Sequence, residues 1–133
     1  FIGAIHAGWK GAFKGIVKKT IQLLKKNGCS EKDMIACIGP CIKKNSYEVK
    51  DDFFKLFKNK NKKNINFFTF KKKKIFFDLS EYIKSQFYEN GVKKIDIIRK
   101  DTYALENNFF SSRRSKKNKH NDYGRNISAI MIK

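Results

Sequence analysis

The chain has 133 residues, the length of one domain, and its 41% apolar content is enough for a hydrophobic core and excludes wholesale disorder. Its net charge of +19 comes from 27 Lys and 4 Arg against 12 acidic residues. No apolar run approaches the roughly 18 residues that cross a bilayer, so the sequence excludes a transmembrane helix, and we expect no signal peptide. The three cysteines are an odd number and cannot all pair in disulfides, so we expect a reduced, cytoplasmic setting.

The positive charge raises nucleic acid as a partner. Lys, Asn, Ile and Phe, the residues with codons rich in A and T, nevertheless supply 68 of the 133 residues. Genomic base composition explains the lysines, so a nucleic-acid partner is not expected. The four arginines are more informative, because a chain that drifts towards Lys keeps Arg where a planar guanidinium is needed.

Apolar and polar segments alternate in a way that predicts both strands and helices, and therefore a mixed α/β domain. Polar surface loops are expected at Lys58–Asn66 and over residues 115–122, the second of them mobile. In chain order, the patterns predict a buried strand Phe1–Ile5, a helix Ala12–Asn27, a buried strand Met34–Ile38, an extended piece Ser46–Val49, a helix from Asp51 to about Lys58, strands Phe67–Phe70 and Lys74–Phe77, a helix capped by Asp78 and ended by Gly91, a strand Ile95–Ile98 and a terminal strand Ile127–Ile132.

The turn after the first predicted strand is the first candidate site. His6 stands at the strand end and a Gly-containing turn leads into the helix. Strand ends and helix N-termini gather ligands, and glycines let a backbone or ligand approach closely. We therefore predict that His6 faces a cleft. A packed histidine in a tight turn is the alternative, because one histidine without partners is a weak metal signal.

Cys37 and Cys41 form a C-x3-C pair. This spacing matches neither the C-x-x-C redox motif nor a common zinc motif. We interpret both cysteines as structural, with Cys37 in the core, because a free cysteine usually behaves as a small buried apolar residue.

An aromatic and basic segment near the end of the chain is the third candidate. Phe109 and Phe110 precede two serines and the adjacent Arg113 and Arg114. Paired guanidinium groups bind phosphate or carboxylate in bidentate fashion. A solvated basic loop explains the same residues equally well.

Three motifs in one order resemble the laccase-domain family, long called multicopper polyphenol oxidoreductases. The resemblance runs from residue 5 to the C-terminus. It rests on HAGWKG at residues 6–11, on Ile38-Gly39-Pro40 with Tyr47-Glu48-Val49, and on Asp101-Thr102-Tyr103 with FFSSRR at 109–114 and Gly124-Arg125. Lys10 and Asp101 depart from the family pattern, which has Arg and Cys at these positions.

The resemblance implies an α/β fold with a mixed sheet, a layered α/β/β/α sandwich. Residues 1–133 would form one domain that is incomplete at its N-terminus, roughly the C-terminal half of a family member. A missing N-terminal half is then expected to pack against this chain.

The family is now regarded as zinc-dependent purine nucleoside phosphorylases with adenosine deaminase activity. The resemblance therefore implies phosphorolysis of adenosine, inosine and methylthioadenosine. It makes His6 a metal ligand, Arg114 catalytic, and Trp9, Lys10 and Arg113 substrate-binding. For Trp9, an indole packed in the core explains the residue as well as stacking on a purine does. The other two zinc ligands of the family lie in V-H-G and A-D-C stretches that this chain does not contain. We therefore expect the chain by itself to bind zinc weakly or not at all.

Other functions are left open beside this one. The family resemblance also admits copper-dependent polyphenol oxidation and hydrolytic editing of cell-wall precursors. Copper prefers His-rich sites, and two histidines cannot build a multicopper centre. A basic nucleic-acid-binding module is the alternative from a different class, but it predicts clustered Arg, whereas the lysines here are spread along every element.

Overall fold

The computed structural model describes residues 1–120 and 124–132. Both parallel and antiparallel strands occur among its helices, which confirms the predicted mixed α/β fold. The helices are α1 (Trp9–Phe13), α2 (Ile16–Lys26), α3 (Asp51–Lys60), α4 (Leu79–Glu89) and α5 (Ser112–Lys117), and the strands are β1 (Ile35–Ile38), β2 (Glu48–Val49), β3 (Phe68–Lys71), β4 (Lys74–Phe77) and β5 (Lys94–Ile97). Short 3-10 turns cover Lys44–Ser46, Lys62–Phe67 and Leu105–Asn107.

The described strands form two small sheets. β1 and β5 pair in parallel, and an isolated parallel bridge between Cys41 and Asp101 prolongs the pairing beyond both strands. The second sheet has the order β2-β4-β3 and is antiparallel. β3 and β4 form the hairpin that the sequence predicts, with β4 at the predicted bounds.

The core is largely aromatic. Phe57 on α3 and Phe77 on β4 are fully buried, and their ring centroids lie 4.8 Å apart. Phe53, one helical turn before Phe57, stacks on it at 4.6 Å, so one face of α3 packs into the sheet. The buried Asn64 donates from Nδ2 to the Phe57 carbonyl at 2.8 Å and satisfies a backbone acceptor near the end of α3.

Both terminal strand predictions are wrong. Phe1–Ile5 and Ile127–Ile132 form no strand, and Phe1 and Ile127 are 81% and 93% exposed. An apolar pattern becomes a strand only where a neighbouring strand accepts its backbone hydrogen bonds, and the described part of the chain offers none to either segment.

The predicted helix Ala12–Asn27 is two helices. It begins earlier, at Trp9, and breaks at Gly15, whose φ of 82° is left-handed. Asp78 caps α4 as predicted, since its side chain accepts from the Glu81 N–H.

The predicted polar loops are partly helical. α3 continues to Lys60, the Lys62–Phe67 turn follows, and α5 runs into the polar segment as far as Lys117. Residues 121 and 122 of that segment lie outside the described residues. Within the described ranges, no helix combines the length and apolar character that crossing a lipid bilayer requires.

Candidate functional site

An open cleft of about 1320 Å³ collects the three segments that the sequence singles out. It lies where β1 and β5 end, because the residues that follow both strands, 39–42 and 102–103, form part of its wall. Ligand sites in α/β proteins commonly lie beyond the carboxyl ends of parallel strands. The turn at 5–9 and the segments 46–50, 110–113 and 124–126 are also part of the wall.

His6 lines this cleft, but not at the end of a buried strand, because the preceding residues form no strand and are exposed. Its imidazole folds over Gly8: a Cβ added at Gly8 would lie 2.9 Å from His6 Nε2. The Gly8 carbonyl accepts from the Ala12 N–H at 2.9 Å and starts α1. The glycine thus allows the imidazole and the helix start to share one tight turn.

Trp9 and Lys10 are placed differently. Trp9 lines the cleft and is half-buried, with its ring edge-on to Phe53 at a centroid distance of 4.9 Å. The predicted substrate contact is therefore also anchored in the aromatic core. Lys10 is exposed, lies outside the described cleft lining, and holds its ammonium 5.6 Å from the Trp9 ring centroid.

Arg113 lines the cleft and is fixed from two sides. Its Nη1 donates to the Glu48 carbonyl at 3.0 Å, and its guanidinium carbon lies 5.1 Å from the Tyr47 ring centroid. Tyr47 is buried; burial raises the pKa of its phenol, and the nearby guanidinium opposes that rise. The sequence indicates Tyr47 only through the family motif, because a lone tyrosine after a polar turn carries no site signal.

Arg114 points elsewhere. It is half-buried and donates to three backbone carbonyls, those of Thr102 at 3.1 Å, Tyr103 at 2.8 Å and Phe109 at 2.5 Å. It is not among the described residues that line the cleft. The catalytic role predicted for Arg114 stays a prediction, and its observed contacts are with the protein backbone.

Asp101 joins the two segments that follow β1 and β5. Its carboxylate accepts from the Ser46 hydroxyl at 2.6 Å, the Lys43 N–H at 3.2 Å and the Tyr103 N–H at 2.8 Å. The sequence marks Asp101 only as a departure from the family pattern. The partners lie more than 50 residues away in two of three cases, so local reasoning cannot find them.

The prediction that Cys37 lies in the core is wrong. Cys37 is exposed and lines the cleft, because one face of β1 is uncovered by the described residues and Ile35 on the same strand is 79% exposed. Cys41 is half-buried, and burial raises the pKa of its thiol while the Lys43 ammonium opposes the shift. Cys37, Cys41 and Cys29 are free thiols.

The donor set for a metal is incomplete within the described residues. Across 1–120 and 124–132, no group of three or more His, Cys, Asp and Glu side chains is arranged to hold a metal ion. His6 is the one residue that the family resemblance marks as a ligand. A catalytic zinc site has three protein ligands, so the part of the chain that the structure describes does not by itself complete a zinc or copper site.

Comparison with known proteins matches the whole chain to one family. The family model described as multi-copper polyphenol oxidoreductase laccase covers residues 1–133. A purine nucleoside phosphorylase of Rickettsia conorii is 39% identical over 99% of this chain, and one of Bacteroides thetaiotaomicron is 36% identical over 98% of it. The chain spans 55% and 49% of these two proteins, about half of each.

A solved structure resembles the fold as well. The Bacillus licheniformis hypothetical protein YfiH superposes with a TM-score of 0.73 and 28% identity, over 84% of this chain and 43% of that one. The sequence motifs, the cleft that brings them together and the family match over residues 1–133 all indicate the same family. The chain therefore belongs to the multi-copper polyphenol oxidoreductase laccase family.

Proposed function

We propose that this chain carries the phosphate-binding side of a purine nucleoside phosphorylase site. The observation that carries the proposal is Arg113, a guanidinium fixed at the wall of a large cleft in a chain whose relatives are named purine nucleoside phosphorylases. In phosphorolysis, a phosphate oxygen forms a bond to the ribose C1′ as the bond from C1′ to the purine nitrogen breaks. The purine leaves with that electron pair and takes up a proton.

The surroundings of Arg113 suit an anion. Glu48 is the one acidic side chain among the described residues that line the cleft, and its carboxylate is paired with Lys74 Nζ at 2.9 Å. The contacts to Tyr47 and to the Glu48 carbonyl hold the guanidinium before any ligand arrives. A planar guanidinium then offers parallel charge-assisted hydrogen bonds to two phosphate oxygens.

Trp9 is the proposed purine contact. The indole is fixed by Phe53 and is only half-buried, so a base would stack against a rigid aromatic surface at little entropic cost. Lys10 lies beside it outside the cleft lining, where its charge attracts an approaching phosphate over distance. Arg113 and Trp9 both line this cleft, so phosphate and purine would each have its own contact there.

A zinc ion in this cleft would need metal ligands besides His6. His6 supplies one imidazole, and the described residues arrange no group of three ligands around it, so further ligands would be contributed by additional polypeptide. Adenosine deaminase activity rests on the same metal and stays a prediction with it.

We further propose that additional polypeptide packs against this chain. The support is exposed apolar surface along β1, after β5 and at both ends, together with the half of each relative that this chain does not span. A two-stranded sheet is marginal in water by itself, and parallel strands are normally covered on both faces. Exposed apolar side chains of these regions include Phe1, Ile35, Ile98, Ile127 and Met131.

The test is phosphate-dependent cleavage of inosine and adenosine by the protein as its gene encodes it. Arg113→Lys keeps the charge and loses the planar fork. We expect the transition-state stabilisation read from kcat/KM to fall by about 1.5–3 kcal/mol, seen mainly as a higher KM for phosphate. Lys18→Ala, an exposed change on α2, is the matched control and should behave as wild type. Wild-type protein that cleaves neither nucleoside would refute the activity, and an unchanged Arg113→Lys would refute the anion site.

A further inference from the structure

The segment 101–109 contributes Thr102 and Tyr103 to the wall of the cleft and is held at its beginning by backbone and carboxylate contacts. It follows β5, and the Thr102 N–H donates to the Cys41 carbonyl at 3.2 Å. Asp101 ties the segment to the residues after β1 through the Ser46 hydroxyl. Thr102 and Tyr103 then line the cleft.

Arg114 closes the segment from the other side. Its Nη1 reaches the carbonyls of Thr102 and Tyr103, and its Nη2 reaches that of Phe109, so both ends of the segment converge on one guanidinium. Asn107 Nδ2 adds a bond to the Asp101 carbonyl at 3.0 Å. A compact ammonium has one nitrogen and cannot copy this two-nitrogen geometry, so Lys is a poor substitute here.

The adjacent arginines therefore have different surroundings. Arg113 is exposed at the cleft and is held by Tyr47 and Glu48, whereas Arg114 lies outside the cleft lining and donates to three backbone carbonyls. The N–H of Arg114 is also fixed, since it donates to the Ser111 hydroxyl that caps α5.

We propose that Arg114 is a positioning residue: it holds segment 101–109 as a preformed cleft wall and leaves the anion contact to Arg113. The kinetic part of this proposal rests on the phosphorylase function proposed above, and the structural part does not. If the wall loosens, fewer molecules present Thr102 and Tyr103 correctly. Phosphate still meets Arg113 in either state of the wall, so the loss falls on kcat and not on the KM for phosphate.

The test compares two identical changes at neighbouring positions, Arg113→Lys and Arg114→Lys, in the protein as its gene encodes it. Backbone hydrogen exchange is measured without ligand, and phosphorolysis kinetics are measured in parallel. We expect Arg114→Lys to speed exchange at least tenfold over residues 103–109, to lower kcat at least tenfold and to change the KM for phosphate less than twofold. Arg113→Lys should leave exchange in that segment unchanged and raise the KM for phosphate.

Asn107→Ala is the second variant, because it removes an anchor of the same segment and leaves both arginines in place. It should give the same local signature to a smaller extent. Unchanged exchange over 103–109 in Arg114→Lys, or faster exchange across the whole chain, would overturn the positioning role. A tenfold rise in the KM for phosphate in Arg114→Lys would make Arg114 the ligand contact instead. If the wild-type protein cleaves no nucleoside, the phosphorylase proposal fails, and the exchange measurement alone decides whether Arg114 holds the wall.

Discussion

Two lysines occupy a backbone conformation that side chains disfavour. Lys72 and Lys73 form the two-residue turn of the β3–β4 hairpin, with φ of 47° and 61°. Two-residue hairpin turns of this kind favour Asn-Gly, because a left-handed residue with a Cβ costs about 1–2 kcal/mol. Lys71 also faces Lys74 across the strands, and like charges opposite each other destabilise a sheet.

Replacing the turn by Lys72→Asn with Lys73→Gly should therefore stabilise the protein. We expect the free energy of unfolding in urea to rise by about 1–2 kcal/mol. The control is the double change Lys72→Ala with Lys73→Ala, which removes the same charges and keeps a Cβ at both positions. If the alanine variant gains as much as the Asn-Gly variant, charge and not backbone conformation limits this hairpin.

At the scale of elements, Gly15 separates α1 from α2 and so sets the direction of the helix that carries Trp9. Its φ of 82° is left-handed, and a Cβ added there would meet nothing within 4 Å. The cost of Gly15→Ala is therefore conformational alone, and we expect about 1–2 kcal/mol of lost stability in urea unfolding. Gly15→Asn should cost less, because Asn tolerates this region better.

Gly3→Ala is the matched control for this break. Gly3 also has open space around its Cβ position, and its φ is not in the left-handed range. The free energy of unfolding of Gly3→Ala in urea should therefore equal that of the wild-type protein. Equal stability of Gly15→Ala and Gly3→Ala would show that the two helices can join without strain.

At the scale of the whole molecule, the 133-residue chain should bind zinc weakly. It brings one matched ligand, His6, to the cleft, and the raised pKa of the Cys41 thiol disfavours the thiolate that binds metal. In titration calorimetry at neutral pH, the free energy of zinc binding should be far smaller in magnitude than the roughly 10–16 kcal/mol of structural zinc sites. Tight stoichiometric binding that is lost in Cys37→Ser or Cys41→Ser would contradict this and assign zinc to the C-x3-C pair.

Sequence patterns located the elements whose signals are local. The hairpin at β3 and β4, the Asp78 cap, α3 and the strand at β1 were predicted within a few residues, because alternation, capping residues and helical spacing act over short distances. The break at Gly15 was missed because an isolated glycine is tolerated within a helical pattern, and only the packing decides whether it bends.

For the candidate site, too, some features follow from the sequence and others only from the tertiary structure. Hydrophobic patterning alone determined the α/β class, motif order determined the family resemblance, and composition singled out the four arginines in a chain rich in lysine. Only the tertiary structure decided that Arg113 faces the cleft while Arg114 binds backbone carbonyls, and that Cys37 is exposed. The physical reason is distance along the chain: residue type follows from the sequence, but the environment of a side chain is made by partners such as Glu48, which lies 65 residues from Arg113.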